Sequence, residues 1–181
     1  MKIGIDAGHG MSSRTAGVFD PGAVNNAFRE ADIALRYAHA LDDEAQARGW
    51  PTFLTRHDNE TDAPLGQRVK AAKDAGCTVL ISLHVNAALT SAATGVETLY
   101  RASRDLADHI QPRVADVMGL RDRGVKFRGD LAILRFTPSV LVELGFISNQ
   151  YDLIAMMKPE RPALVASAIC NGIEHSMRGD S

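Results

Sequence analysis

The run Thr78–Leu83 is apolar almost throughout and stops at the ionisable residue His84. A run this short and this continuous is typical of a strand covered on both faces, as in a parallel sheet. The segments Lys2–Ala7 and Val140–Val142 also have the character of short strands, and each is followed closely by an ionisable side chain. The sequence therefore predicts a mostly parallel sheet with helices on both faces.

Helical patterns separate these strands, and the first has an apolar stripe at three- and four-residue spacing through Ile33, Ala34, Tyr37 and Leu41. We predict further strands over 52–56, 95–101 and 131–134, and helices over 65–75, over 105–118 and from about Pro162. A hairpin-like pair within 95–134 would add an antiparallel edge strand. No linker or repeat interrupts the alternation, which predicts a single-domain α/β three-layer sandwich over residues 1–181.

Two histidines follow predicted strands, where open parallel sheets bind ligands. His9 lies between two glycines, which let the chain turn sharply, and His84 follows the central apolar run. Glu30 falls on the apolar stripe of the first helix, where a carboxylate is costly unless it is paired or bound to a metal. Two imidazoles and a carboxylate form a known catalytic zinc set with a fourth position for water, and Glu143 could then transfer the proton.

Other roles exist for each of these residues. A single histidine of this kind is usually a core residue bonded to a carbonyl, Glu30 could favour the first turn of a helix, and Glu143 could belong to an ion pair. The other histidines, at positions 39, 57, 109 and 175, are predicted to be solvated or structural. Cys77 and Cys170 lack the spacing of a metal site and are predicted to be free thiols.

The motifs around these residues resemble those of the type 3 N-acetylmuramoyl-L-alanine amidases, zinc enzymes that cleave bacterial cell-wall peptidoglycan. The similarity covers nearly the whole chain and rests on Ile5–Gly10, Asp20–Ala23 with Glu30, Ser82–Ala87 and Val142–Asn149. It implies that His9, Glu30 and His84 bind one Zn²⁺ ion and that Glu143 is the catalytic acid and base. The implied substrate bond is the amide between the lactyl group of N-acetylmuramic acid and the L-alanine of the stem peptide.

Three more polar residues lie close to these motifs. Asn86 could bind substrate or fix its loop, and Glu97 could face the site or solvent. Asp6 could orient a metal-bound imidazole from behind, or cap a turn. The sequence leaves both roles open for each residue.

The chain also departs from the family pattern, because residues 11–19 form a longer loop than many relatives have. This loop resembles versions in bacteriophage lysis enzymes, which suggests a phage or prophage endolysin. A long helical insert that blocks the site in regulated relatives is not recognisable in the sequence, so we expect activity without an unmasking partner. No separate wall-binding module is expected either.

Composition limits the range of partners. A formal net charge of −2 and a pI near 6.3 give no general attraction to nucleic acid. No signal peptide or membrane-spanning run is recognisable, so we expect a protein made in the cytoplasm that has no stable membrane association. A monomer is the default expectation. The protein would reach the wall after release, with a holin as a candidate partner, unless its signal is missing from this sequence. The alternatives are another zinc amidohydrolase or carboxypeptidase on wall peptides, and a catalytically silent wall-binding module.

Overall fold

A computed structural model describes residues 1–178. Its strands are β1 (Ile3–Ala7), β2 (Gly10–Met11), β3 (Phe19–Asp20), β4 (Val24–Asn25), β5 (Phe28–Arg29), β6 (Thr52–Leu54), β7 (Val79–Asn86), β8 (Val96–Tyr100), β9 (Asp122–Phe127) and β10 (Ser139–Phe146). Its helices are α1 (Glu30–Ala47), α2 (Leu65–Asp74), α3 (Arg104–Met118), α4 (Gln150–Met157) and α5 (Arg161–Arg178), and a 3₁₀ turn spans Ala132–Arg135.

Six strands form the central sheet in the order β6-β1-β7-β10-β8-β9. The first four are parallel to one another, whereas β8 pairs antiparallel with β10 and parallel with β9. Two small hairpins, β2–β3 and β4–β5, lie outside this sheet. The predicted mostly parallel α/β sandwich is therefore confirmed.

The two faces of the sheet are covered unequally. Along β7, Val79, Ile81 and Leu83 belong to the larger core, which also contains residues of α1, α3 and α5. Leu80 belongs to a smaller core on the other face, with residues of α2 and the 3₁₀ turn. Because side chains alternate along a strand, His84 lies on the same face as Leu80. The candidate site therefore lies on the thinner face of the sandwich.

Two predictions between residues 95 and 134 are wrong. The predicted strand at 131–134 is a 3₁₀ turn, because its apolar residues Ile133 and Leu134 fill the smaller core. The predicted hairpin is absent from the described residues, since β8 and β9 run parallel and are joined through α3. The antiparallel partner of β8 is β10, which lies beside it in the interior of the sheet.

Within the described residues, no helix has both the length and the apolar character needed to cross a membrane. Cys77 and Cys170 are both free thiols, as predicted.

Candidate metal centre and active site

Three ligand atoms converge where β1, β7 and α1 meet. His9 Nε2 lies 3.1 Å from Glu30 Oε1, and His84 Nδ1 lies 2.9 Å from the same oxygen. The ligand atoms of the three residues all lie within 4.8 Å of one another. Tetrahedral zinc with bonds of about 2.0–2.1 Å separates neighbouring ligand atoms by roughly 3.3 Å, so both the donor types and the spacing suit zinc. The structure thus brings together the three residues that the sequence predicted as ligands.

Glycines allow these side chains to approach. A Cβ atom on Gly8 would lie 2.4 Å from His84 Cε1, and one on Gly22 would lie 2.6 Å from Glu30 Oε2. Gly22 also has a φ of 67°, in the left-handed region that favours glycine. His9 itself has a φ of 62°, which is uncommon for a residue with a side chain. The backbone on this side of the cluster is therefore shaped around the ligands.

Asp20 orients the imidazole of His9. Its Oδ2 atom lies 2.9 Å from His9 Nδ1, which leaves Nε2 directed at the cluster. Arg14 Nε lies 3.0 Å from the same oxygen, and the Gly22 amide donates to Asp20 Oδ1. Hydrogen bonding to His9 and Gly22 lowers the pKa of Asp20, although partial burial alone would raise it. We did not predict this role from the sequence, because Asp20 precedes a proline and a glycine as an ordinary turn residue would.

The carboxylate of Glu30 is held at both oxygens. Oε1 accepts from the Val85 amide at 3.1 Å, and Oε2 accepts from the Ala23 amide at 2.9 Å. Burial would raise the pKa of Glu30, but hydrogen bonds to His84 and His9 outweigh it and lower that pKa strongly. For His84, burial would lower the pKa, and the Glu30 carboxylate outweighs it and raises the pKa. Glu30 therefore remains an anion, as a metal ligand must.

Glu143 lies beside the cluster on the neighbouring strand, directly opposite His84 in the β7–β10 pairing. Its Oε2 atom is buried and has no hydrogen-bond partner among the described residues. Burial, with a smaller contribution from nearby Glu30 and Glu97, raises the pKa of Glu143 to about 7, against the opposing effect of His84. A buried carboxylate with such a pKa can both accept and return a proton near neutral pH.

Glu97 is paired with Glu143 across β8 and β10, so it lies on the site-facing side of the sheet. Its Oε2 atom accepts from Arg123 Nε at 2.6 Å and from Lys126 Nζ, and its Oε1 atom accepts from Asn86 Nδ2 at 3.0 Å. Partial burial would raise the pKa of Glu97, and its two cationic partners outweigh that effect and lower it. Glu97 and Asn86 thus form one polar network next to the proposed base.

Asp6 contacts other residues than those we considered. Its carboxylate accepts from Ser82 Oγ at 2.6 Å, Thr55 Oγ1 at 2.7 Å and Arg68 Nη1 at 3.0 Å. Apart from Glu30, the carboxylate that bonds a clustered imidazole is that of Asp20. Asp6 therefore joins β1 to α2, beneath the cluster.

The loop at 11–19 borders the cluster, since Ser13 and Arg14 line a cavity together with His9 and His84. Its ends pair as β2 and β3, and its Ser12 hydroxyl donates to Asp62. A cavity of about 190 Å³ lies between this loop and the 3₁₀ turn, and His9, His84 and Arg14 line it. Within residues 1–178, the other four histidines belong to no group of metal-ligating side chains.

Residues 3–175 match a protein-family model described as N-acetylmuramoyl-L-alanine amidase. The chain belongs to this amidase family. The match spans all four motifs around the cluster and Glu143, which confirms the resemblance found in the sequence.

Relatives of this amidase-family chain include bacterial and phage proteins. It is 35% identical over 178 residues to the uncharacterized protein YqiI of Bacillus subtilis, covering 94% of this chain and 82% of that protein. It is 34% identical to the N-acetylmuramoyl-L-alanine amidase LytC of the same organism, covering 94% of this chain but 34% of LytC. The endolysin of Bacillus phage SPP1 is 31% identical over 87% of this chain and 59% of its own length.

A solved structure shares the whole fold of this amidase-family chain. The catalytic domain of CwlV, an N-acetylmuramoyl-L-alanine amidase from Bacillus (Paenibacillus) polymyxa var. colistinus, superposes with a TM-score of 0.87. The two are 31% identical, and the alignment covers 99% of each chain.

Proposed function

We propose that this chain hydrolyses the amide bond between N-acetylmuramic acid and the L-alanine of the stem peptide in bacterial peptidoglycan, with zinc as its metal. Its membership of the amidase family supports the reaction and the substrate. The observation that carries the assignment is the convergence of His9, Glu30 and His84 beside Glu143, whose Oε2 atom is buried and has no partner within residues 1–178.

The three ligands set the charge and shape of the metal site. A zinc ion bound there would act as a Lewis acid that polarises a carbonyl group and lowers the pKa of water to about 7. His9 presents Nε2 because Asp20 occupies Nδ1, and Glu30 is fixed by two backbone amides. These contacts fix the donors before a metal arrives and reduce the reorganisation that binding requires.

Glu143 carries the proton in this proposal. Its carboxylate accepts a proton from the water that attacks the lactyl carbonyl carbon, and a new C–O bond forms. The same carboxyl group then delivers the proton to the alanine nitrogen as the C–N bond breaks. The products are a lactyl carboxylate on the glycan and a free amino group on the stem peptide. The raised pKa of Glu143, about 7, suits both halves of this transfer.

The biological setting is also part of the proposal. We propose a monomeric catalytic domain, released to the wall by a phage-type lysis system with a holin. Similarity to a phage endolysin supports this setting, and similarity to bacterial amidases supports a host enzyme. The chain spans about a third of LytC, so the activity and partners of such longer proteins are not transferred to it.

Mass spectrometry of purified peptidoglycan digested by the zinc-loaded protein tests the reaction. Free stem peptides with L-alanine at the amino terminus, together with glycan strands that keep their lactyl groups, are the expected products. Cleavage of a different bond would instead identify another zinc amidohydrolase or carboxypeptidase. Tight binding to the wall without cleavage would identify a silent binding module.

A further inference from the structure

The cavities beside the metal cluster differ in charge. A cleft of about 680 Å³ lies between the β4–β5 hairpin and α4, and a second cavity of about 400 Å³ shares Asn25, Ser91 and Ser148 with it. None of the described residues that line these two cavities carries a formal charge. We call this pair of cavities the uncharged cleft.

The inner cavity of the uncharged cleft adjoins the metal cluster through backbone neighbours, although no candidate ligand lines it. Ala23, which lines its inner cavity, donates its amide to Glu30 Oε2, and Ala87 on the same cavity follows the strand that carries His84. Its outer part exposes two aromatic rings, Phe28 and Tyr151, of which Tyr151 is 82% exposed. Aromatic faces with amide side chains nearby are suited to amphipathic, hydrogen-bonding ligands such as acetylated amino sugars.

The cavities on the other side of the cluster are cationic. The cavity lined by His9 and His84 shares Leu65 and Ala132 with a further cavity of about 430 Å³. We call this further cavity the basic cavity. It is lined by three cationic side chains and no acidic one among the described residues, and its cations are Lys70, Lys73 and Arg135.

The charge of the basic cavity is available to a ligand. Lys70 is paired with Asp74 at 2.5 Å, whereas Lys73 and Arg135 have no ion-pair partner within residues 1–178. Both side chains belong to exposed residues on α2 and on the 3₁₀ turn. An anionic ligand that entered from the cluster would meet these two cations.

The proposed substrate has the same asymmetry, because its scissile amide joins an uncharged sugar chain to a peptide that carries carboxylates. We propose that the glycan strand lies in the uncharged cleft and the stem peptide extends past the histidines towards the basic cavity. Tyr151 is then a specificity residue for the glycan, and Lys73 and Arg135 are specificity residues for the peptide carboxylates. This inference rests on the proposed function and gives the substrate one direction across the cluster.

The test uses soluble muramoyl peptides in which glycan length and peptide charge vary separately. One series carries a single sugar or a tetrasaccharide on the same peptide, and the other carries the peptide carboxylates free or amidated. Tyr151→Ala should lower the preference for the longer glycan, measured as a ratio of kcat/KM values, roughly fivefold, without altering the preference for free carboxylates. The double variant Lys73→Gln/Arg135→Gln should lower the preference for free carboxylates roughly fivefold, without altering the glycan preference.

Matched controls use exposed side chains elsewhere. Phe127→Ala removes an aromatic ring that is 64% exposed on β9, and Arg104→Gln removes a cation that is 70% exposed on α3. Neither control should change either ratio. Equal falls on all substrates, unchanged ratios or exchanged effects in the test variants would each overturn the proposed direction.

A binding measurement separates this inference from the proposed reaction. Calorimetric titration with a tetramer of N-acetylglucosamine, which is uncharged as the peptide-bearing glycan is, requires no hydrolysis. We expect binding by the zinc-loaded protein that weakens in Tyr151→Ala and persists in Phe127→Ala. Glycan binding without amide cleavage would reject the reaction and keep the cleft assignment. Cleavage of wall peptides with no glycan binding, and no dependence on glycan length, would reject the cleft assignment alone.

Discussion

Glu143 carries a stability cost that its proposed catalytic role would explain. The residue is half-buried, and its Oε2 atom is fully buried and has no hydrogen-bond partner among the described residues. Burial raises its pKa to about 7, so the metal-free fold favours the protonated form. Carboxyl groups with a strongly raised pKa are concentrated at functional sites, because a carboxylate that accepts hydrogen bonds from its neighbours would be a weaker base.

Replacing Glu143 with Gln should stabilise the metal-free protein at alkaline pH. Because folding raises the pKa of Glu143, the native state is most stable relative to the unfolded chain below the ordinary pKa of a glutamate, where the carboxyl group is protonated. That stability is lost as pH rises through about 7. Gln keeps the neutral shape, so we expect a gain on the order of 3 kcal/mol in unfolding free energy at pH 8 and little gain at pH 5. Urea unfolding at pH 8 and at pH 5 measures this gain in unfolding free energy. The exposed control Glu60→Gln should show no such difference, and an equal effect of Glu143→Gln at both pH values would contradict the account.

Gly8 should be needed for metal binding, since a Cβ atom there would lie 2.4 Å from His84 Cε1. Gly8→Ala forces that imidazole to move, and we expect zinc affinity to fall by roughly 10–100-fold. Competition with a coloured chelator measures it. Gly66→Ala on α2 is the matched control, because its added methyl would meet no atom within 4 Å. Unchanged zinc affinity in Gly8→Ala would show that the site tolerates the displacement.

The sequence singled out the proposed ligands and the proposed base because each breaks a local pattern. Glu30 interrupts an apolar helical stripe, and His84 and Glu143 follow apolar runs. It could not identify Asp20 as the partner of His9 or separate the roles of Asp6, since a short acidic residue near glycine is common in turns. Those roles depend on which side chains meet in three dimensions.

At the scale of elements, a buried ion pair connects β1 to α2. Asp6 and Arg68 lie 3.0 Å apart with side chains 1% and 2% exposed, and Arg68 also donates to the His9 carbonyl. Burial would raise the pKa of Asp6, but Arg68 and Ser82 outweigh it and lower that pKa. The pair thus stabilises the thinner face of the sandwich and also the backbone of His9, a proposed metal ligand.

Breaking this pair from one side should be costly. Arg68→Met leaves the Asp6 carboxylate buried and unpaired, so we expect a loss of about 3–5 kcal/mol in unfolding free energy at pH 7. The loss caused by Arg68→Met should be smaller in an Asp6→Asn background. With Asp6 present, the loss should also become smaller as pH falls. Because the folded-state pKa of Asp6 is lowered, its stabilising charge is present above the ordinary pKa and is lost as pH falls through the lowered one.

Urea unfolding of the four combinations measures the coupling between these two side chains. Lys70→Met, an exposed cation on the same helix, is the matched control and should cost little. Equal losses on removing Arg68 with and without Asp6 would show that the ion pair does not stabilise this junction.

Elements were predictable where the apolar pattern was strong. Strands β1, β7 and β10 and helix α1 follow from continuous runs or a clear stripe, because they pack in the larger core. Strand β9 was missed, since it is an edge strand whose residues are only partly buried or exposed. The apolar residues at 131–134 could not be assigned by periodicity, because short apolar runs suit a strand and a turn of helix equally.

At the scale of the molecule, the proposed metal ligands come from separate parts of the fold. His9 follows β1, Glu30 begins α1 and His84 lies in β7, so a bound ion would connect segments far apart in sequence. Zinc that binds this arrangement and not the unfolded chain stabilises the fold by mass action. The charge difference between the uncharged cleft and the basic cavity is likewise a property of the whole molecule, because neither surface comes from one element.

Zinc should therefore raise thermal stability. After chelator treatment, adding free zinc at about 1,000 times its dissociation constant should contribute roughly 4 kcal/mol and raise Tm by several degrees. Calorimetry of the metal-free and zinc-loaded protein measures the shift. His84→Ala should show little response to zinc, whereas His57→Ala, in an exposed loop, should respond fully. A Tm that does not respond to zinc in the unmodified protein would contradict a site formed by the fold.

Zinc content and amide hydrolysis, measured together in Glu143→Gln and His84→Ala, are the most direct test of the proposal that three residues bind the metal and a fourth transfers the proton. We predict that Glu143→Gln retains one zinc per chain and loses at least about 100-fold in turnover, because only the proton carrier is removed. His84→Ala should remain folded by circular dichroism and lose both zinc and turnover. Full turnover in Glu143→Gln, or stoichiometric zinc in His84→Ala, would contradict the assignment of this active site.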